Sequence, residues 1–241
     1  MRDALVRPGL ARTPLARTPL ARTSLARSSP TRHRSAVPGT ELQVLVLAPG
    51  RRGCVGVDLD SGAFVRVHHR DAGRPLKPFV IGVGTVSPER IDRHEQPEAV
   101  DIAEPLQPVG ALSGRRLQRV LEAIEHPRNR PLFGVHGATI PSWSLDGDRS
   151  TVALVPVGSD LGVHVGPDGV HCSFLWQGTI QRLRFEDPRL LARLDWLPRN
   201  PLRADVLREV LGLRPANLVV ALSRPRQGHC YKVVAAALPR R

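Results

Sequence analysis

HVGPDGVHCSFLWQGTIQRLRFEDPRLLARL, residues 164–194, sets the pattern for the fold. Pro167-Asp168-Gly169 and Gln177-Gly178 are turn signals between runs rich in β-branched and aromatic residues, so the stretch reads as strands folded back on one another. Asp187-Pro188 then supplies a cap and a proline at the first helical position, opening PRLLARL. Upstream, STVALVPV (150–157) starts this half of the chain. Downstream, Asn200-Pro201 repeats the cap-and-proline device for PLRADVLREVL, which Gly212 ends. NLVVALS (217–223) and HCYKVVAAAL (229–238) are two closing strands. Three strands, a helical connection and two strands is the plan of an OB fold, a five-stranded Greek-key barrel.

Working back toward the N-terminus, LQVLVLA (42–48) reads as a buried strand that Pro49-Gly50 turns. Strands at 53–59 and 63–68 follow, joined across Asp60-Ser61-Gly62, where the glycine can take positive φ. FVIGVGTV (79–86) and the region of EAVDIA (98–103) complete a second set of five short strands. Between the sets, Leu117, Val120, Leu121 and Ile124 recur at helical spacing over 113–126, with Ser113 as N-cap and Pro127 as the stop. The expected architecture is mostly β with minor α. Two tandem OB-like five-stranded barrels, 41–110 and 150–239, are joined by a helix-bearing linker at 111–149.

Composition limits the function. The chain has 241 residues, 41% of them hydrophobic, and a net charge of +13. No apolar stretch approaches the length of a membrane span. Three cysteines, none spaced Cys-x-x-Cys, exclude a disulfide framework and fit a reducing cytoplasm. Residues 1–40 hold eight arginines against the single acid Asp3, a balance of +7. That arm repeats LARTP, LARTP, LARTS and LARSS from residue 10 to 29, a period of five that builds neither a helix face nor a strand face. It reads as disordered: a loose basic arm, a transit-peptide-like leader without the amphipathic stripe, or translation from a start codon upstream of the native one. Positive charge of this kind favours polyanions through phosphate contacts and counterion release.

The residues from 41 to 238 resemble the dual OB-containing domain of bacterial proteins. The stretches that carry the resemblance are LQVLVLA…CVGVDLDSGAFVRV, HEQPEAVDI (94–102), STVALVPV, CSFLWQGTIQRLRFEDP and LVVALSRPRQGHCYKVVAA. The resemblance implies two OB-like barrels in tandem and a nucleic-acid-binding role in prokaryotic conflict systems. The family pattern calls for a more acidic and aromatic segment where HEQPEAVDI stands, which leaves no role to carry over to His94 or Glu98.

The residues that suit such a role cluster on the hairpins. Alternation puts Arg182 and Arg184 on one face of their strand, with Leu183 and Phe185 on the other. Trp176 lies close by in sequence, and Tyr231-Lys232 stands on the last strand. Aromatic rings stack bases and cations track the backbone, although aromatic residues make up a thin 4% of the chain. On the first hairpin Val65 and Val67 point together, and Arg66 points the opposite way with His68; the planar guanidinium suits a phosphate or carboxylate. The expected nucleic-acid contacts are therefore Arg66, His68, Trp176, Arg182, Arg184, Tyr231 and Lys232, set against the plainer reading of a solvated barrel wall.

Metal and catalytic chemistry find little footing. His171-Cys172 and His229-Cys230 are adjacent on strands, so each pair splits to opposite faces, and buried small cysteines account for them. Glu89, Asp92, His94 and Glu95 cluster in PERIDRHE, and Asp58 and Asp60 sit at a hairpin turn. A Mg²⁺-dependent nuclease would need such acids and a histidine to converge. Arg90 and Arg93 interleave with them as in a solvated loop. No nucleophile elbow, phosphate-binding glycine loop or dinucleotide fingerprint is present. The expected function is noncatalytic nucleic-acid binding without metal or cofactor, with DNA and RNA both open. A protein-interaction module is the competing class.

Overall fold

The computed structural model describes residues 37–71, 73–89, 94–145, 147, 149–158, 160–194 and 216–239. The arm up to residue 36, Asp92 and the expected helix over 201–211 lie outside the described residues. The described chain is mostly β, with thirteen strands and two α-helices among these residues.

The first half forms one six-stranded sheet. Its strands are β1 (Glu41–Gly50), β2 (Gly53–Asp58), β3 (Phe64–His68), β4 (Val80–Thr85), β5 (Ala99–Asp101) and β6 (Gln107–Ala111). They pair in the order β5-β3-β2-β1-β4-β6, with β3 and β5 parallel and every other pair antiparallel. β1 is buried almost throughout because both its faces are covered. Leu42, Val44 and Val46 point into one cluster with Val65, Val67 and Ile102, while Leu45 and Leu47 point into another. Near Gly53 the chain comes too close to a neighbour for a side chain. At φ +140° a Cβ there would sit 1.8 Å from the carbonyl oxygen of Val67, so only glycine fits.

The second sheet comprises β8 (Val152–Pro156), β9 (Gly162–Gly166), β10 (Gly169–Trp176), β11 (Thr179–Phe185), β12 (Ala216–Leu222) and β13 (His229–Pro239), in the order β8-β12-β13-β11-β10-β9. The short β7 (Thr139–Pro141) adds a seventh strand beside the start of β13. Only β11 and β13 pair in parallel. The turn between β10 and β11 has positive φ at Gln177 (51°) and Gly178 (72°), and that between β12 and β13 at Gln227 (52°) and Gly228 (79°). Two successive residues with φ > 0 make the hairpin turn whose twist matches the strands. α2 (Pro188–Leu194) opens as the sequence predicts: Pro188 is its first residue, and the backbone N–H of Arg189 donates to Asp187 Oδ1 at 3.0 Å. Leu190 of this helix plugs the interior that Leu183, Phe185, Leu218 and Val234 line.

Neither sheet closes into a barrel, which corrects the expectation of two closed five-stranded units. In the first, β4 and β5 meet through a single bridge, Val86 with Ile102, because β5 is only three residues long. In the second, the two edges β8 and β9 are successive pieces of one chain segment, broken between Pro156 and Gly162.

The expected linker helix is α1 (Gly114–Ile124), and it does not simply connect the halves. Leu117, Leu121 and Ile124 are buried in a cluster that also takes Leu45, Val57 and Ile81 from the first sheet. The same cluster takes Leu154, Val219 and Val233 from the second. The two sheets therefore share a core. Ser113 holds the N-cap position with extended backbone, but its side chain makes no capping hydrogen bond.

Candidate nucleic-acid interface

The parity of β11 is the one the sequence predicts. Gln181, Leu183 and Phe185 turn inward, and Ile180, Arg182 and Arg184 turn to solvent. Register extends that outer face across three strands. Arg184 lies opposite His171, which lies opposite His164; Arg182 lies opposite Ser173; Ile180 lies opposite Leu175. His164 Nε2 sits 3.0 Å from Ser173 Oγ. Arg184 Nε is 3.9 Å from Glu186 Oε1, a long contact between exposed groups that contributes little to stability. Ile180 is 72% exposed and Leu175 55%, so the face is cationic along one row and apolar along the next.

Three other expected contacts point inward. Arg66 does project opposite to Val65 and Val67, but that side of β3 faces the second half rather than water. Its side chain is 13% exposed. Nη2 donates to Glu98 Oε1 at 3.2 Å, to Thr151 Oγ1 at 3.3 Å and to the carbonyl of Leu222 at 3.3 Å. Glu98, buried, also accepts from the backbone N–H and hydroxyl of Thr151. The arginine is thus a clasp between the two sheets. Trp176 shares the inward parity of Cys172 and Phe174; its Nε1 donates to the carbonyl of Arg130 at 3.0 Å, and its ring lies 5.9 Å from that of His126. Lys232 is buried, and its Nζ donates to the carbonyl of Val135 at 2.6 Å. Desolvation pulls its pKa down from 10.5 to about 8. His68 is half-buried in register with Gly53 and Asp101. Tyr231 is 39% exposed on β13, beside Thr139 of β7. The structure therefore brings Arg182 and Arg184 together and sets Tyr231 apart from the inward residues.

A second surface was not singled out by sequence spacing. Trp143 is 82% exposed, in the short turn Ser142–Ser144 that follows β7. That turn is pinned to the β12–β13 hairpin. The Ser142 backbone N–H donates to the carbonyl of Gly228 at 2.8 Å, and its hydroxyl to the same oxygen at 3.1 Å. The hairpin carries Arg224 and Arg226, both exposed and neither in an ion pair among the described residues. Across it, the N–H of Tyr231 donates to Ser223 Oγ at 3.0 Å, and the N–H of Ser223 to the carbonyl of Tyr231 at 2.8 Å. A flat ring, a phenol and two guanidinium forks thus belong to one pinned unit. The signal that could have found it is IPSWSLDG: a tryptophan among turn residues, outside any apolar periodicity, has no core to enter.

The groups considered for catalysis stand differently. Glu89 pairs with Arg70, and His94 Nδ1 lies 3.3 Å from Glu95. Among the described residues no three His, Cys, Asp or Glu side chains are placed to hold a metal ion. Cys54, Cys172 and Cys230 are buried free thiols, and burial pushes Cys54 and Cys172 up to about 12. No helix among the described residues is long and apolar enough to cross a membrane. Compared with known proteins, the chain matches no protein-family model and no curated protein.

Proposed function

We propose that this protein is a noncatalytic nucleic-acid-binding module that engages single-stranded segments with its second half. The observation that carries the reading is the exposed Trp143, in a turn that Ser142 ties to the hairpin carrying Arg224, Arg226 and Tyr231. A base stacks on an aromatic face whatever its identity, and guanidinium groups follow the phosphates. The row Arg182–Arg184 extends the cationic surface. Strand order supports an OB-like reading as well: in both halves a strand from the leading hairpin pairs in parallel with a later strand, the Greek-key return of that fold. The resemblance to dual OB-containing domain proteins supports the same class and is the ground for a place in a bacterial defence system.

The test is fluorescence anisotropy of a labelled single-stranded oligonucleotide, DNA and RNA in parallel, titrated at several salt concentrations. Affinity falls steeply with salt if phosphates are contacted. Trp143→Ala weakens binding by about 5- to 150-fold, the equivalent of about 1–3 kcal/mol for one stacked base. Arg224→Ala with Arg226→Ala lowers the salt slope by about 2. A chain lacking residues 1–36 separates the contribution of the arm, which holds more than half of the net charge. Binding that ignores salt and Trp143 would instead favour a protein partner seated on the apolar row of Ile180 and Leu175.

A further inference from the structure

A groove of about 320 Å³ opens on the first half, away from the surfaces above. Six carboxylates line it: Glu41, Asp58, Asp60, Glu89, Glu98 and Asp101. Among the described residues no arginine, lysine or histidine lines it, in a chain whose net charge is +13. Arg66 and Arg70 neutralise Glu98 and Glu89 from outside the lining. Glu41, Asp58 and Asp60 pair with no cation among the described residues; Asp58 instead accepts from the backbone N–H of Asp60 and the hydroxyl of Ser61. Between the acids the walls are apolar, formed by Leu42, Phe64, Val65 and Val100. The groove therefore asks for a ligand with guanidinium or ammonium groups separated by short aliphatic side chains.

The chain carries such a ligand at the mouth of the groove. Val37, Pro38 and Thr40 are themselves lining residues, and Val37 is where the described chain begins. The seven residues before it, PTRHRSA (30–36), follow the repeats LARTP, LARTP, LARTS and LARSS (10–29), which carry a leucine and an arginine in every five residues. We propose that residues 10–36 fold back and dock in this groove, arginines on Glu41, Asp58 and Asp60 and leucines on the apolar walls. Reach is no obstacle, since a chain spans up to about 3.3 Å per residue. Tethering also places the arm at an effective concentration of about millimolar, so contacts that are weak one by one suffice for occupancy. Arg–carboxylate contacts at this distance from solvent are sensitive to salt. The docked arm hides cationic charge from other polyanions, and it does so whether or not the second half binds nucleic acid.

The experiment uses the full chain carrying Ser24→Cys, labelled there with a fluorophore while the three native thiols stay buried. Time-resolved anisotropy reports whether the dye tumbles with the folded body. In the parent chain at low salt a large slow component is expected. It should fall at least about twofold in Glu41→Gln/Asp58→Asn/Asp60→Asn, and likewise in Arg17→Gln/Arg22→Gln/Arg27→Gln, whose changes lie outside the described residues. About 0.5 M NaCl should have the same effect. A slow component missing from the parent chain overturns the proposal. So does one that persists in both variants, which would place the arm on another surface or on a second copy of the chain; dilution distinguishes those two. The arm variant keeps the test decisive if the groove variant fails to fold.

Discussion

At the scale of single residues, the informative side chains are polar ones that the fold has taken inside. Glu98 is charged, buried and matched by Arg66, so removing one partner leaves the other without compensation. Glu98→Ala should cost about 3 kcal/mol or more, read as a lowered urea midpoint, and Arg66→Ala should approach it. Neither substitution should change the salt slope of oligonucleotide binding, because the guanidinium faces Thr151 and Leu222 rather than solvent. Lys232 gives a pH signature. Its native ammonium is lost above about 8, whereas the unfolded lysine keeps its proton to about 10.5, so unfolding takes up a proton between those values. Stability therefore rises with pH across that window, by about 1.4 kcal/mol per unit at most, and is insensitive to this group below it. Lys232→Met should abolish the rise, as the difference between the two proteins' thermal midpoints from pH 7 to 10 will show. The directions of these side chains were legible by counting along the strands: Arg66 opposes Val65, and Trp176 sides with Phe174. What lay in those directions was not. Period two separates the faces of a strand but carries no information about whether water or a second sheet covers the outer one.

Elements were most legible where a turn or cap is made by short-range chemistry. The β10–β11 hairpin and the start of α2 follow from Gln177-Gly178 and Asp187-Pro188 because each fixes its backbone within a few residues. Asp187 does more than cap. Buried, it accepts from the N–H of Arg189, from both ends of that side chain's fork and from the N–H of Ala237 on β13. Asp187→Ala should then lose about 2–4 kcal/mol, above the usual cost of a lost cap, and hydrogen exchange at Ala237 should quicken with it. Gly53→Ala is a sharper case. The added methyl meets the Val67 carbonyl, so the β2–β3 ladder must part and the purified protein should lose its cooperative melt. Ser113, a suitable capping residue by type, leaves its hydroxyl out of the helix, and Ser113→Ala should be close to neutral. β6 was invisible in the sequence for a plain reason: all of QPVGA is exposed, and its strand character comes from pairing with β4 alone.

At the scale of the whole molecule, charge and architecture divide the labour. The first half presents acids to its groove, while the second presents Arg182, Arg184, Arg224 and Arg226 on its outer surfaces. The division shows in the sequence as net charge, zero over residues 41–149 and +6 over residues 150–241, but its placement on the surface does not. It arises because pairing gathers residues from distant segments, as when Ser142 brings Trp143 to the hairpin at Gly228. The helix expected between the halves is there, and the apolar stripe of α1 was correctly read, but a stripe does not say how many sheets it serves. Leu117, Leu121 and Ile124 serve both. A chain severed just before or just after that helix would leave an oily seam open to solvent on each piece. Expressed singly, the fragments should aggregate; expressed together, they should find each other and remain in solution, and heating the intact chain should give one calorimetric peak rather than two.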